Sequence, residues 1–457
     1  MKAHLLTLAL ALTALTAPAQ RRKAPKAAPA TLLVSAVTVG RVLTTLAGDA
    51  MQGRGTGQPG GLKATQFLAG EFQRIGLQPL PGAAGFEQVF PVYSSRVAGL
   101  SATLNGTAIA ADKLLLVSNQ PTVEWTQQTP DLEVLTITTN GDFGQVLSKI
   151  RRPSQNLLVL LDPIHSADFK KLVDSRRQVR FRATEAGSPY SCVVLVTPTA
   201  PGLANNATAK SITFEVKGKT EQVVTELRNV VGMLPGRDTA RAKEKVVFSG
   251  HYDHLGIIKP SAAGDSIANG ADDDASGTTA VVALAEYFKL RNDNARPLIF
   301  TAFAAEEVGG FGARYFSQQL APEQVVAMFN IEMIGKEAKF GPNTAFITGF
   351  DKSDFGQLLQ ANLTGSKFRF EPDPYPEQNL FYRSDNATLA KLGVPAHTIS
   401  SDQIPDDKLY HSVDDEVESL NLPNMTAIIQ AIAQSASGIV AGQQTPTRIA
   451  PEPAASK

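Results

Sequence analysis

Three aspartates, Asp272, Asp273 and Asp274, stand side by side in the stretch NGADDDASGTTA, with no basic residue beside them. Like charges so placed repel one another. Either the stretch is a solvated cap for a helix opening at Ser276 and Gly277, or a cation belongs among the carboxylates. Similar side chains recur at the ends of apolar runs. His251-Tyr252-Asp253-His254 follows VVFSG, Glu306-Glu307 follows LIFTAFAA, and Glu332 follows VVAMFNI. The segment DDKLYHSVDDEVESL adds Tyr410, His411 and Asp414. Each stretch alone has a bland explanation: a satisfied buried histidine, a solvated glutamate pair, a helix cap. Together they form a catalytic zinc ligand set, and two histidines with several carboxylates suffice for two ions.

The spacing within two of these stretches adds detail. In an extended chain, His251 and Asp253 point to the same side, so Asp253 can hold the imidazole from behind. Consecutive residues such as Glu306 and Glu307 point in different directions, so one can bind metal while the other stays free as a base. His254 can support ligands in the same way as Asp253. His397, in an apolar run, is expected to be structural, and His165 to be a surface residue. Gly309, Gly310 and Gly312 fit close packing at a helix start.

Five distant segments can meet only if the fold brings them together. From about 228 the periodicity alternates. KVVFSG, RPLIFTAFAA, VVAMFNIEMIG, NTAFITGF and VPAHTISS read as buried strands. SGTTAVVALAEYFKL, GGFGARYFSQQL and LPNMTAIIQAIAQSASGIV read as helices. Apolar strands alternating with helices predict an α/β sheet covered on both faces, and ligands of such sheets bind beyond the carboxyl ends of the strands. The polar outliers fall at those ends. Upstream, residues 31–90 are mostly helical. In GGLKATQFLAGEFQRIGL, Leu62, Phe67, Leu68, Phe72 and Ile75 share a face and Gly76 is the stop. Residues 91–227 hold short β-type runs (DLEVLTITT, NLLVLLD, SCVVLVTP, SITFEV) and read as an inserted strand-rich domain. The catalytic part is expected over 228–442, with a loose Pro/Ala-rich tail at 443–457.

Composition narrows the partners. The 457 residues are 43% hydrophobic, and 43 basic residues balance 43 acidic ones. That leaves no basic field for nucleic acid, and no polybasic or lipidation signal marks a membrane anchor. MKAHLLTLALALTALTAPAQ has a basic start, an apolar core and a small-residue ending, which predicts a signal peptide over 1–19 and a Pro/Ala/basic linker over 20–30. Export to the periplasm or the medium follows as an expectation. Cys192 is the only cysteine, so no internal disulfide can form.

SGHYDHLG, NGADDDASGTTA, AAEEVGGFGARYF, NIEMIG and LYHSVDD together resemble the motif set of the secreted co-catalytic zinc metallopeptidases. This family includes bacterial leucyl aminopeptidases, glutamate carboxypeptidase and, more distantly, glutaminyl cyclases. The resemblance covers roughly 31–90 and 228–440, and the insert sits where relatives carry a protease-associated domain. It implies a three-layer α/β/α domain with a mostly parallel mixed sheet and two Zn2+ ions, with Co2+ or Mn2+ as possible substitutes. His251 and Glu332 would hold one ion and Glu307 and His411 the other, with Asp273 bridging. Glu306 would be the general base, Tyr410 would meet the oxyanion, and Asp253 and Asp414 would stand behind the ligands. Glu332 departs from the family's usual Asp, and RSDNA places Asn386 where relatives often have His. The activity implied is an exported aminopeptidase acting on peptides through a metal-bridging hydroxide. Alternatives on the same scaffold are a carboxypeptidase, which Arg383 near the pocket keeps open, or a glutaminyl cyclase. A non-catalytic binding ectodomain should have lost ligands or base, whereas all six positions here are competent.

Overall fold

The structure, a computed structural model, describes residues 32–176, 179–198 and 212–450. The expected leader over 1–19 and the linker over 20–30 lie outside the described residues. Val, Ile, Leu and Phe runs that are buried along their whole length form the middle of a large mixed sheet. Four neighbouring parallel strands make its centre: Ala396–Ser400, Val325–Ile331, Lys245–His251 and Leu298–Phe303. Thr344–Ile347 and Arg369–Pro372 extend one side. Phe214–Leu234 and Glu87–Leu104 extend the other.

Helices cover both faces. Gly277–Arg291 packs on one face, backed by Ala36–Leu46, Pro59–Ile75 and Leu422–Ser435. There Phe248 stacks on Phe300 and Phe329 and meets Phe288 of the helix. The helices Phe311–Gln318 and Asn386–Ala390 cover the other face, where Val247, Ile299, Phe316, Met328 and Leu389 share one core. The α/β expectation therefore stands, and Gly76 ends the helix Pro59–Ile75 in the left-handed conformation as its position predicts. The sheet is less parallel than expected. Beside four parallel pairings it has five antiparallel ones, because long antiparallel strands flank the centre.

The boundaries expected at 90/91 and 227/228 fall inside strands. Glu87–Leu104 and Phe214–Leu234 pair antiparallel from Glu87↔Val230 to Leu104↔Phe214. They leave the central sheet as a ribbon that carries the inserted segment. A four-stranded sheet (Leu114–Val117, Cys192–Val196, Asn156–Leu161, Leu132–Ile137) packs on this ribbon through Leu116, Leu158, Val193, Trp125 and Phe214. Its other face buries Cys192 with Ile150, Phe169 and Leu172 of two short helices. Residues 443–450 are not loose. Arg296 donates to the Gln444 carbonyl and the Thr445 hydroxyl, both at 2.6 Å, and Ile449 is buried.

The helix Gly277–Arg291 begins against the sheet. A Cβ at Gly277 would meet the Ile331 carbonyl oxygen at 2.1 Å, a contact only glycine avoids. Gly277→Ala is expected to lower stability by about 1–3 kcal/mol through overpacking, read from the denaturant midpoint. An unchanged midpoint would show that the strand end yields freely.

Candidate metal centre

The parallel register aligns the ends of three strands. Phe303 pairs with His251, and Asn330 with Ser249, so Glu306, Glu307 and Glu332 emerge beside His251. Backbone strain marks the same places. Ala305 (φ 61°), Met333 (φ 53°) and His411 (φ 58°) are left-handed without being glycine. One is a proposed ligand and the other two adjoin acidic site residues.

The three aspartates have three different tasks. Asp274 points inward and accepts from the backbone N–H groups of His251 (3.1 Å), Gly277 (2.9 Å) and Met333 (3.1 Å). It thus ties a strand end, a helix start and a loop together. Asp272 accepts from Gly335 N at 2.8 Å and lies 3.3 Å from Lys336 Nζ; burial, against the Lys336 charge, pushes its carboxyl up to about 7. Asp273 alone faces the histidines. Its Oδ1 is 3.3 Å from His251 Nε2, and its Oδ2 is 3.2 Å from His411 Nε2. Burial favours its neutral form, yet the imidazoles of His251 and His411 beside it hold its carboxyl well below the usual range.

Around Asp273 two donor sets form. His251 Nε2 lies 4.0 Å from Glu332 Oε1 on one side, and His411 Nε2 lies 3.1 Å from Glu307 Oε2 on the other. Tetrahedral ligands about 2.0 Å from a zinc ion are about 3.3 Å apart, so most of these separations fit a shared ion. His251 Nδ1 is taken by the Asp253 carbonyl at 3.0 Å, which turns Nε2 toward the centre. There His251 Nε2 and Glu332 Oε2 are buried without hydrogen-bond partners, as metal-facing atoms would be. The residues present fit divalent ions.

His251, Asp273, Glu307, Glu332 and His411 therefore converge, with Glu306 beside them and Tyr410 stacked on His411 (ring centroids 3.9 Å apart). Two expected supports act differently. The Asp253 carboxylate stands 3.9 Å from His251 Nδ1; it instead accepts from Glu306 N at 3.0 Å and Thr56 Oγ1 at 2.6 Å, so the imidazole is held by the backbone carbonyl. Asp414 is exposed, and its neighbour Asp415 does the supporting, accepting from the N–H groups of both Asp272 and Asp273 at 3.0–3.1 Å. In the tight turn after His411 only one of two adjacent aspartates can face inward, and chain composition does not say which.

One contributor, Arg54, has no sequence signal. Arg54 is fully buried, and its guanidinium donates to the carbonyls of Leu46, Tyr252, Asn269, Gly270 and Asp273. It fastens the approach to the aspartate triplet from a loop two hundred residues upstream. His254 binds Glu307 Oε1 at 2.8 Å, leaving Oε2 for the centre. Asn386 is buried and bonds the carbonyls of Phe381 and Ala396. His397 is structural, held by Ser353 and Thr348, with burial lowering it to about 4. His165 is half-buried, and its ring meets the Thr138 carbonyl at 3.0 Å.

Known proteins resemble this chain in sequence and in fold. Residues 229–436 match the model of Peptidase family M28. Leucine aminopeptidase 1 of Leptosphaeria maculans is 28% identical over 211 residues, which are 43% of this chain and 52% of that protein. A probable zinc metalloprotease of Pyricularia oryzae is 35% identical over 140 residues, 30% of this chain and 25% of that one. The chain thus spans about half the length of the curated aminopeptidases it matches, or less. Among solved structures, a zinc aminopeptidase from Bacillus subtilis superimposes with a TM-score of 0.54 at 14% identity, over 91% of this chain and 97% of that one. An aminopeptidase from Aneurinibacillus sp. strain AM-1 gives 0.51 at 17%, over 92% and 96%. At such identities the likeness concerns the fold. Fold and donors define an α/β domain with a candidate imidazole–carboxylate metal site. Over residues 229–436 the chain is similar to peptidase family M28.

Protons compete for the same donors. Burial works against a charged His411, but bonds to Asp273 and Glu307 carry it up to about 10, and His251 is likewise raised by Asp273. Below about 10 the metal-free His411 ring is protonated, and ligation requires that it and the likewise raised His251 lose the proton. Zinc affinity, measured by chelator competition, is therefore expected to rise from about pH 6 to about pH 9, with proton release visible as a buffer-dependent binding enthalpy. An affinity flat over that interval would contradict ligation by these histidines.

Proposed function

We propose that this chain is an exported two-metal aminopeptidase that hydrolyses the N-terminal residue from peptides. The observation that carries the reading is Asp273, whose two oxygens face two separate histidine–carboxylate sets while Glu306 stays outside both. Divalent ions bound there would polarise the scissile carbonyl and acidify a water molecule. Glu306 is placed to take the proton of that water. Burial, then the charges of Glu332, Asp385 and Glu307, raise its carboxyl well above the usual range against the pull of His251, which suits a base that must later return the proton to the leaving amine. Burial and the nearby carboxylates keep the Tyr410 phenol protonated, so it can donate to a developing oxyanion. The pocket beside Glu306 has apolar walls from Met333, Phe346, Leu380 and Ile404 that would receive a side chain. The leader over 1–19 supplies the export part of the reading.

A carboxypeptidase is the second reading, because Arg383 lies exposed in the pocket wall with only long bonds to Gln378 at 3.3–3.4 Å. One peptide in free, N-acetylated and C-amidated forms separates the two by mass spectrometry. The aminopeptidase removes N-terminal residues from the free and amidated forms, spares the acetylated one and stops on chelation. Cleavage that ignores acetylation but fails on the amide would transfer the assignment to a carboxypeptidase. Glu306→Gln is expected to keep zinc and fold while kcat drops by about 100- to 10,000-fold. Near-normal turnover would remove Glu306 from the role of base.

A further inference from the structure

The pocket beside Glu306 contains a carboxylate that the hydrolytic step does not use. Asp402 follows the strand Ala396–Ser400 and lines this pocket, yet it is only 3% exposed and neither of its oxygens has a hydrogen-bond donor. Leaving such a group unpaired is costly. The Tyr375 hydroxyl is also buried without a partner, and the Asp402 charge acts on it. The surroundings deepen the imbalance. Carboxylate oxygens of Asp272, Asp402 and Asp407 lie within 4.8 Å of one another. Among the described residues a single cation serves them, Lys336, 3.3 Å from Asp272 and 2.6 Å from Asp407.

Burial and the charges of Asp272 and Asp407 push the Asp402 carboxyl up to about 8, so a positive charge arriving beside it would take the place of a proton. A metal ion in that corner would be repelled by the Lys336 ammonium already seated between Asp272 and Asp407. A cation arriving from the pocket side meets Asp402 first and leaves Lys336 in place. The walls on that path, Met333, Phe346 and Ile404, are apolar and suit the methylene stem of a long basic side chain. Arg383 lies in the same pocket but is exposed, where water and salt screen its repulsion.

We propose that Asp402 is the specificity-determining residue of this site and selects lysine or arginine as the N-terminal residue of the substrate. The proposal rests on the aminopeptidase reading above and names its substrate class. The substrate ammonium or guanidinium would pair with the Asp402 carboxylate, with the Tyr375 hydroxyl beside them.

The test compares zinc-loaded protein on aminoacyl-4-nitroanilides of lysine, arginine, leucine and norleucine, the last being close to lysine in length but uncharged. The wild type is expected to favour lysine over norleucine in kcat/KM by about 30-fold or more, as a desolvated charge pair would give. Asp402→Asn, nearly isosteric, is expected to bring that ratio close to one while norleucine turnover stays within about threefold. If norleucine and leucine are cleaved as well as lysine by the wild type, the specificity assignment is overturned and the aminopeptidase reading survives. A lysine preference that persists in Asp402→Asn also overturns it. Should none of the four substrates be cleaved, both readings fall. The wild-type ratio decides the matter even if the variant does not fold.

Discussion

Buried negative charge at one edge of the sheet is the constraint around which the rest of the domain is arranged. Asp253, Asp272, Asp273, Asp274, Asp385 and Asp415 are all nearly inaccessible, and Glu306, Glu307 and Glu332 stand among them. Carboxylates cannot remain ionised in such a place without donors or cations. The chain supplies donors from its own backbone. Asp274 and Asp415 spend their oxygens on N–H groups of strand ends and loops, which fixes these segments relative to one another. The same buried charge that would be ruinous alone becomes the means of locking the site.

Basic groups complete the balance in a graded way. Arg54 serves carbonyls and places a permanent positive charge behind the triplet. Lys336 answers Asp272 and Asp407. The histidines answer Asp273 and Glu307, but they can surrender their protons, so this part of the compensation is exchangeable for metal. Permanent charge lies at the back and exchangeable charge at the front. That division separates what holds the site from what works in it.

The strained residues fit the same scheme. Ala305, Met333 and His411 sit in conformations that side chains disfavour, and each is pinned at a segment that delivers a carboxylate or imidazole. Packing elsewhere sustains them. The Phe248, Phe300, Phe329 and Phe288 stack beneath the strand ends ties three of the four central strands to the helix Gly277–Arg291, so these cannot shift independently.

Much of this was legible in the chain itself. Apolar runs and their periods gave the central strands and the helices Pro59–Ile75 and Gly277–Arg291, because hydrophobic burial is a property of local pattern. His251, Asp273, Glu306, Glu307, Glu332 and His411 could be singled out as candidates too, by side-chain type and by the family resemblance of their motifs. Tertiary structure decided the rest. Nothing local distinguishes Asp415 from Asp414, or shows that Arg54 reaches carbonyls two hundred residues away. Nor does local pattern show that 443–450 is fastened by Arg296, or that two long strands run through the expected domain boundaries. The reason is physical: side-chain type and period are set along the chain, whereas hydrogen-bond partners and charge neighbours exist only once distant segments have been packed together.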